Sequence, residues 1–271
     1  MVDTVVTEEP PVGKRLAGLN VVPVSEGPRH MKICLYGVPG VGKTRLAGSA
    51  NDVEAMRPVL FIDLEGGTES IRTLYPDIEV VRVKTEFDKG GRVKKSAWAQ
   101  LRGLYEELKK GQHGYNTIVI DNITEAYQIS LQDVMQKLTA ENPDRDPDVP
   151  GMREWGKATA QIRRFIRSMR DLPLHVIITA HELAKEDDSG IVRHVTPSLP
   201  GKLALEVPGF FDEVFYLYTK SEKGEDNKPI TVRKIQTQPV GKYIAKDRTD
   251  RLPLVVSDPT MKALYEQMEV H

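Results

Sequence analysis

The chain has 271 residues, 39% hydrophobic and 28% charged, which excludes a wholly disordered or collagen-like polymer. No stretch approaches the roughly 20 consecutive apolar residues that span a bilayer, so no membrane partner is expected. Thirty-eight basic residues against 39 acidic ones give a net charge of −1, which excludes a histone-like polycation and leaves room for a local basic groove.

Residues 1–30 carry Pro10, Pro11, Pro23 and Pro28 without periodicity. They are expected to form a flexible N-terminal arm with a short strand around Leu19–Val24. The opening MVDTVVTEEPPVGKR is acidic where a signal peptide would be basic and then apolar. The single cysteine, Cys34, can supply neither an internal disulfide nor a metal cage, and a reducing cytoplasm is the expected setting.

Met31–Tyr36 reads as a buried strand, followed by a Gly-rich turn and a helix from Lys43 to about Asn51. Pro58–Leu64 and Glu79–Val83 are the next strands. Ser96–Lys110 places Trp98, Leu101, Tyr105 and Leu108 at helical spacing and stops at Gly111. Thr117–Ile120 is a strand running into Asp121. Glu154–Met169 repeats the helical spacing, and Leu174–Thr179 is another apolar strand. Asn142–Gly151 and Lys185–Lys202 read as long loops. Strands alternating with helices predict an α/β fold of three layers, a mostly parallel central sheet with helices on both faces. Glu213–Thr219, Ile230–Gln236 and Lys242–Ala245, joined by short polar links, predict antiparallel hairpins at the C-terminal edge. The core is expected to cover 31–250, with 251–271 a C-terminal extension whose short helix begins near Pro259.

Gly37-Val38-Pro39-Gly40-Val41-Gly42-Lys43-Thr44 matches G-x-x-x-x-G-K-[ST], between a strand and a helix. Backbone N–H groups of such a loop wrap a phosphate. Lys43 reaches the β- and γ-phosphates, Thr44 ligates Mg²⁺, and Arg45, the next residue, is counted with the nucleotide-binding set. Asp121, ending a β-branched strand, is the expected second anchor for Mg²⁺. Three carboxylates compete to activate water: Asp63, Glu65 and Glu125. Glu65 is preferred because it ends a strand and precedes Gly66-Gly67, which let a ligand come close. Asp63 reads as structural and Glu125 as a solvated helix position. His181 follows an apolar strand at the same sheet edge, where it could sense the γ-phosphate. The six histidines lack zinc-like spacing.

The ordered set GVPGVGKT, FIDLEGG, TIVIDN, IITAHE and IAKDR resembles the RecA/DnaB-type P-loop ATPase core. More closely, it is similar to the short phage-encoded RecA-like ATPases implicated in single-strand annealing and recombination, over about residues 31–250. The resemblance implies ATP and Mg²⁺ as cofactors and the host cytoplasm as the location. It also implies that the Glu matching Glu65 activates water, that the residue matching His181 senses the γ-phosphate, and that Lys246 and Arg248 reach a neighbouring subunit's nucleotide. ATP would then lie at the interfaces of a homo-oligomer. A full recombinase carries a further DNA-binding domain and a replicative helicase a separate N-terminal domain, and thirty residues provide neither.

Two segments are basic: Arg153, Lys157, Arg163, Arg164, Arg167 and Arg170 against Glu154, and Lys89–Lys110 with seven basic residues against Glu106 and Glu107. Such cations neutralise phosphates with little regard to sequence. The expectation is a Mg-ATP-hydrolysing enzyme acting on single-stranded DNA in recombination, annealing or replication, with a single-strand-binding or replication protein as a possible partner. The alternatives are a nucleotide-gated adaptor or helicase loader with little turnover, and a small-molecule phosphotransferase.

Overall fold

The computed structural model describes residues 15–23, 29–187, 189–224 and 228–269. The chain divides into two compact units, Met1–His30 and Met31–His271. In the first, β1 (Arg15–Leu16) pairs antiparallel with β2 (Leu19–Asn20). The two linking residues, Ala17 and Gly18, both have positive φ, as a tight two-residue hairpin requires. The strand expected around Leu19–Val24 is this β2, and residue 24 lies outside the described residues.

The second unit begins with β3 (Lys32–Gly37) and α1 (Lys43–Gly48), which continues as a 3₁₀ turn over Ser49–Asp52. Next come β4 (Val59–Asp63), β5 (Glu79–Arg82) and a small ribbon of β6 (Glu86–Phe87) and β7 (Val93–Lys95). Ser96 caps α2 (Ala97–Lys109), its side chain accepting a hydrogen bond from Ala99 N, a local reason for the helix to start there. β8 (Thr117–Asp121), α3 (Ile123–Glu141), α4 (Met152–Arg170) and β9 (His175–Glu186) follow. The chain then forms β10 (Val192–Pro197), α5 (Leu203–Glu206), β11 (Glu213–Lys223) and β12 (Pro229–Gln236). It closes with β13 (Lys246–Asp247), β14 (Val255–Ser257) and α6 (Met261–Glu269).

The main sheet runs β14-β12-β11-β3-β9-β8-β4-β5. All pairs from β11 to β5 are parallel, whereas β12 joins β11, and β14 joins β12, antiparallel. The expected architecture is therefore present. β4 and β8 are buried at every position, the signature of strands covered on both faces. One face packs Trp98, Leu101, Ala126, Ile162 and Phe165 of α2, α3 and α4. The other packs Leu46 and Ala47 of α1 against Met261, Leu264 and Met268 of α6.

Three features differ from the sequence reading. A nineteen-residue helix, α3, fills a stretch in which the sequence suggests only a helical position at Glu125. It is buried on several sides, so no single apolar stripe stands out, but Asn122 with Glu125 three residues on is a capping signature. Asn122 Oδ1 accepts from Glu125 N at 2.9 Å. Second, β9 continues beyond Thr179 and folds back on β10, so most of the presumed loop over 185–202 is an antiparallel hairpin. Third, of Lys242–Ala245 only Tyr243 makes β-bridges, to Val195 and Val240. The segment after residue 250 shares the second unit. β14 extends the sheet, and Met261 N donates to the buried Ser49 Oγ at 2.8 Å.

Candidate nucleotide site

The parallel register sets the carboxyl ends of four strands level. Gly37 of β3 pairs with His181 of β9, and Asp63 of β4 with Asp121 of β8. The four separate motifs thereby meet at one sheet edge, lining a pocket of about 370 Å³. Ligands of open α/β sheets bind at this edge.

Within the loop after β3, Val41 is buried in the core while Val38 is exposed, and Pro39, Gly40 and the exposed Arg45 rim the pocket. Gly42 precedes α1 at φ 105°, a left-handed conformation that a side chain would strain. Lys43 is buried and folds back on its own loop, Nζ donating to Gly37 O at 3.0 Å and Val38 O at 2.9 Å. Burial lowers its pKa, opposed by the carboxylates of Asp121 and Glu65.

Asp121 is held by two hydroxyls, with Thr44 Oγ1 donating to Oδ2 at 2.7 Å and Thr179 Oγ1 to Oδ1 at 2.5 Å. Burial raises its pKa, the two hydroxyl bonds oppose that, and Asp63 and Glu65 add to it. A Cβ built on Gly67 would lie 2.8 Å from Asp121 Oδ2 and 3.2 Å from Thr44 Oγ1. The glycine thus keeps a space open between a hydroxyl and a carboxylate. No group of three or more His, Cys, Asp or Glu able to hold a metal occurs among the described residues. One carboxylate and one hydroxyl beside a phosphate loop suit Mg²⁺, which is bound with few protein ligands together with phosphates and water.

The three competing carboxylates occupy different environments. Asp63 is buried and saturated, its Oδ1 accepting from Gly66 N at 2.7 Å and its Oδ2 from Thr68 Oγ1 at 2.5 Å. It shapes the turn that carries Glu65. Glu125 stands in the first turn of α3, its pKa raised by burial and then by Glu65. Glu65 points into the pocket, with Oε1 3.0 Å from His181 Nε2, itself 3.3 Å from Asn122 Nδ2. His181 Nδ1 is buried without a partner among the described residues, and His181 N donates to Thr124 Oγ1 at 3.2 Å.

Lys246 and Arg248 are not brought here. Lys246 of β13 pairs with Val214 near the start of β11, whereas the phosphate loop leaves β3 beside Leu217. Lys246 Nζ donates to Phe211 O, and Arg248 pairs with Asp212. The pocket includes instead an arginine that the sequence does not reveal, Arg233 of β12. A Cβ on Gly42 would come within 2.9 Å of Arg233 Nε, so the guanidinium lies against the phosphate loop. Its side chain forms no ion pair among the described residues. It escapes sequence reading because it sits mid-strand, without motif, and only the pairing of β12 with β11 brings it close.

Residues 29–249 match the family model described as AAA domain. The chain belongs to that family. No curated protein matches it in sequence. Among solved structures, it is similar to the flagellar accessory protein FlaH from Methanocaldococcus jannaschii at 10% identity, covering 86% of this chain and 91% of that one, TM-score 0.39. It is similar to the RadB recombinase at 14% identity, covering 84% and 86%, TM-score 0.42. A type III secretion system ATPase of pathogenic bacteria aligns at 17% identity over 69% of this chain and 52% of that one, TM-score 0.39. This AAA-domain chain thus carries a P-loop ATPase site, and among its described residues no helix is long and apolar enough to cross a membrane.

Proposed function

We propose that this chain is a RecA-like, Mg-ATP-hydrolysing enzyme that acts on single-stranded DNA in recombination, annealing or replication, with ATP shared between subunits. The observation that carries the reading is the convergence of Lys43, Thr44–Asp121 and Glu65–His181 in one pocket. Bound Mg²⁺ would neutralise phosphate charge, and Thr44 and Asp121 are the residues to hold it.

Lys43 is already desolvated, so exchanging two carbonyl contacts for phosphate oxygens gains charge–charge attraction at little further burial cost. Arg233 supplies a second positive group beside the loop. Glu65 accepts a proton from water as its oxygen attacks the γ-phosphorus and the bond to the bridging oxygen breaks. His181 donates from Nε2 to the Glu65 carboxylate, which fixes the base and couples it to β9. Because His181 starts the run into the β9–β10 hairpin, rearrangement of its contact with Glu65 would move that hairpin. In this reading Arg248, which follows β13 at the far end of β11 from the phosphate loop, serves a neighbour's pocket rather than its own.

The test is steady-state ATP hydrolysis across protein concentration, with and without single-stranded DNA. Turnover stimulated by DNA and rising more than proportionally with protein is expected, and Lys43→Ala should lose it by at least ~100-fold, the scale of removing one charge-stabilising donor. A rate indifferent to DNA and linear in protein would overturn the DNA-activated oligomer.

A further inference from the structure

The two basic segments of the sequence are brought together away from the nucleotide pocket. α2 and α4 pack side by side through Trp98 and Phe165, whose ring centroids lie 5.5 Å apart. Between them opens a cleft of about 380 Å³ lined by Trp98, Arg102, Tyr105 and Glu106 of α2 and by Arg164 and Phe165 of α4. Its size lies within the range of small-ligand pockets.

The cations of α4 divide by what they touch. Arg163 is tied to Glu206, Arg170 to Asp171, and Arg167 lies over the Phe210 ring. Arg153, Lys157 and Arg164 are exposed and form no ion pair among the described residues. Spacings of four and seven set these three on one side of the helix, over about 16 Å at 1.5 Å per residue. On α2, Arg102 and Lys109 are likewise exposed and unpaired among the described residues, and a spacing of seven puts them on one side.

We propose that this cleft is a binding site for single-stranded nucleic acid, taking one base between α2 and α4 while the flanking phosphates lie on Arg102, Arg164 and Lys157. A row of unpaired cations beside a concave cleft with a half-buried aromatic ring on its wall suits a chain of regularly spaced anions bearing planar rings. Tyr105, half-buried at the cleft, offers ring surface. The Glu106 carboxylate disfavours a phosphate inside the cleft, and it is the acceptor that the exocyclic amino group of cytosine or adenine seeks. The site should therefore favour oligo-dC over oligo-dT. This inference rests on the reading that the chain acts on single-stranded DNA, and it assigns the contact to the face formed by α2 and α4.

The test is fluorescence anisotropy of the full chain with labelled oligo-dC and oligo-dT at several salt concentrations. It compares wild type, Glu106→Gln and the double variant Arg102→Ala/Arg164→Ala, with melting temperatures as the folding control. Wild type should bind oligo-dC more tightly. The double variant should bind about tenfold or more weakly, its salt slope shallower by about 1.4, at ~0.7 per lost phosphate contact. Glu106→Gln should narrow the preference for dC. Tight DNA binding unchanged in the double variant would overturn the site and leave the DNA-acting reading standing. A wild type that binds neither oligonucleotide would overturn both. Binding of an acidic peptide instead, dependent on Arg102 and Arg164, would make the cleft a protein-docking site and overturn the nucleic-acid assignment.

Discussion

Gly67 shows how much of the nucleotide site rests on single atoms. A methyl group there would sit 2.8 Å from Asp121 Oδ2, closer than carbon and oxygen tolerate. Its φ is not in the left-handed region, so alanine fits the backbone, and the penalty falls on the space between Thr44 and Asp121. Gly67→Ala should leave the fold intact, at a local cost of about 1–3 kcal/mol for overpacking, and should raise the Mg²⁺ concentration needed for half-maximal ATP turnover. A Mg²⁺ titration of turnover checks this, and a curve superimposing on wild type would show that the metal does not use that space. At the same scale, the sequence prefers Glu65 to Asp63 and Glu125 for its place at a strand end before Gly66-Gly67, but leaves the three in competition. Their partners separate them: five donors saturate Asp63, whereas Glu65 faces His181.

At the scale of elements, the start of β11 holds a buried carboxyl. Glu213 is 2% exposed, with Oε2 lacking a partner among the described residues. Burial first, and then the neighbouring Asp247 carboxylate, push its pKa up to about 8. Unfolding returns it to the ordinary range, so the folded state holds the extra proton between about 4.5 and 8. Stability is fully present below that window and is lost as pH rises through it. Thermal melts should show the wild-type melting temperature falling between pH 5 and pH 8. Glu213→Gln should fall less and exceed wild type at pH 8, because the neutral amide has no proton to lose. Equal slopes for the two proteins would refute the assignment. Other elements are legible from the sequence for local reasons: α2 carries its own Ser96 cap and apolar stripe, and β4 and β8 are short, largely apolar runs. By contrast, α3 was hidden because burial on several sides blurs the 3.6-residue stripe on which such readings depend.

For the molecule as a whole, the proposed sharing of ATP between subunits turns on Arg248. Arg248 lies opposite the Asp212 end of β11, five residues from Leu217, beside which the phosphate loop begins. At about 3.3 Å per residue that is roughly 16 Å along the strand, too far to serve its own pocket. Arg248→Ala alone should lose turnover while each subunit still binds ATP. Mixing it with Lys43→Ala should restore part of the activity, since a mixed interface pairs an intact Lys43 with an intact Arg248. Mixtures as inactive as either variant, or normal turnover by Arg248→Ala alone, would remove the shared site.

The amino-acid sequence by itself determined the phosphate loop, the strand carrying Asp121, the layered α/β class and the antiparallel C-terminal edge. Each is a contiguous pattern whose physics is local: turn conformation, strand burial and short links. Tertiary structure alone decided which carboxylate faces the pocket, that Arg233 lies on the phosphate loop, that β14 and α6 complete the core, and that two basic helices share one cleft. Those facts depend on strand order and register, which bring together residues that no local pattern relates.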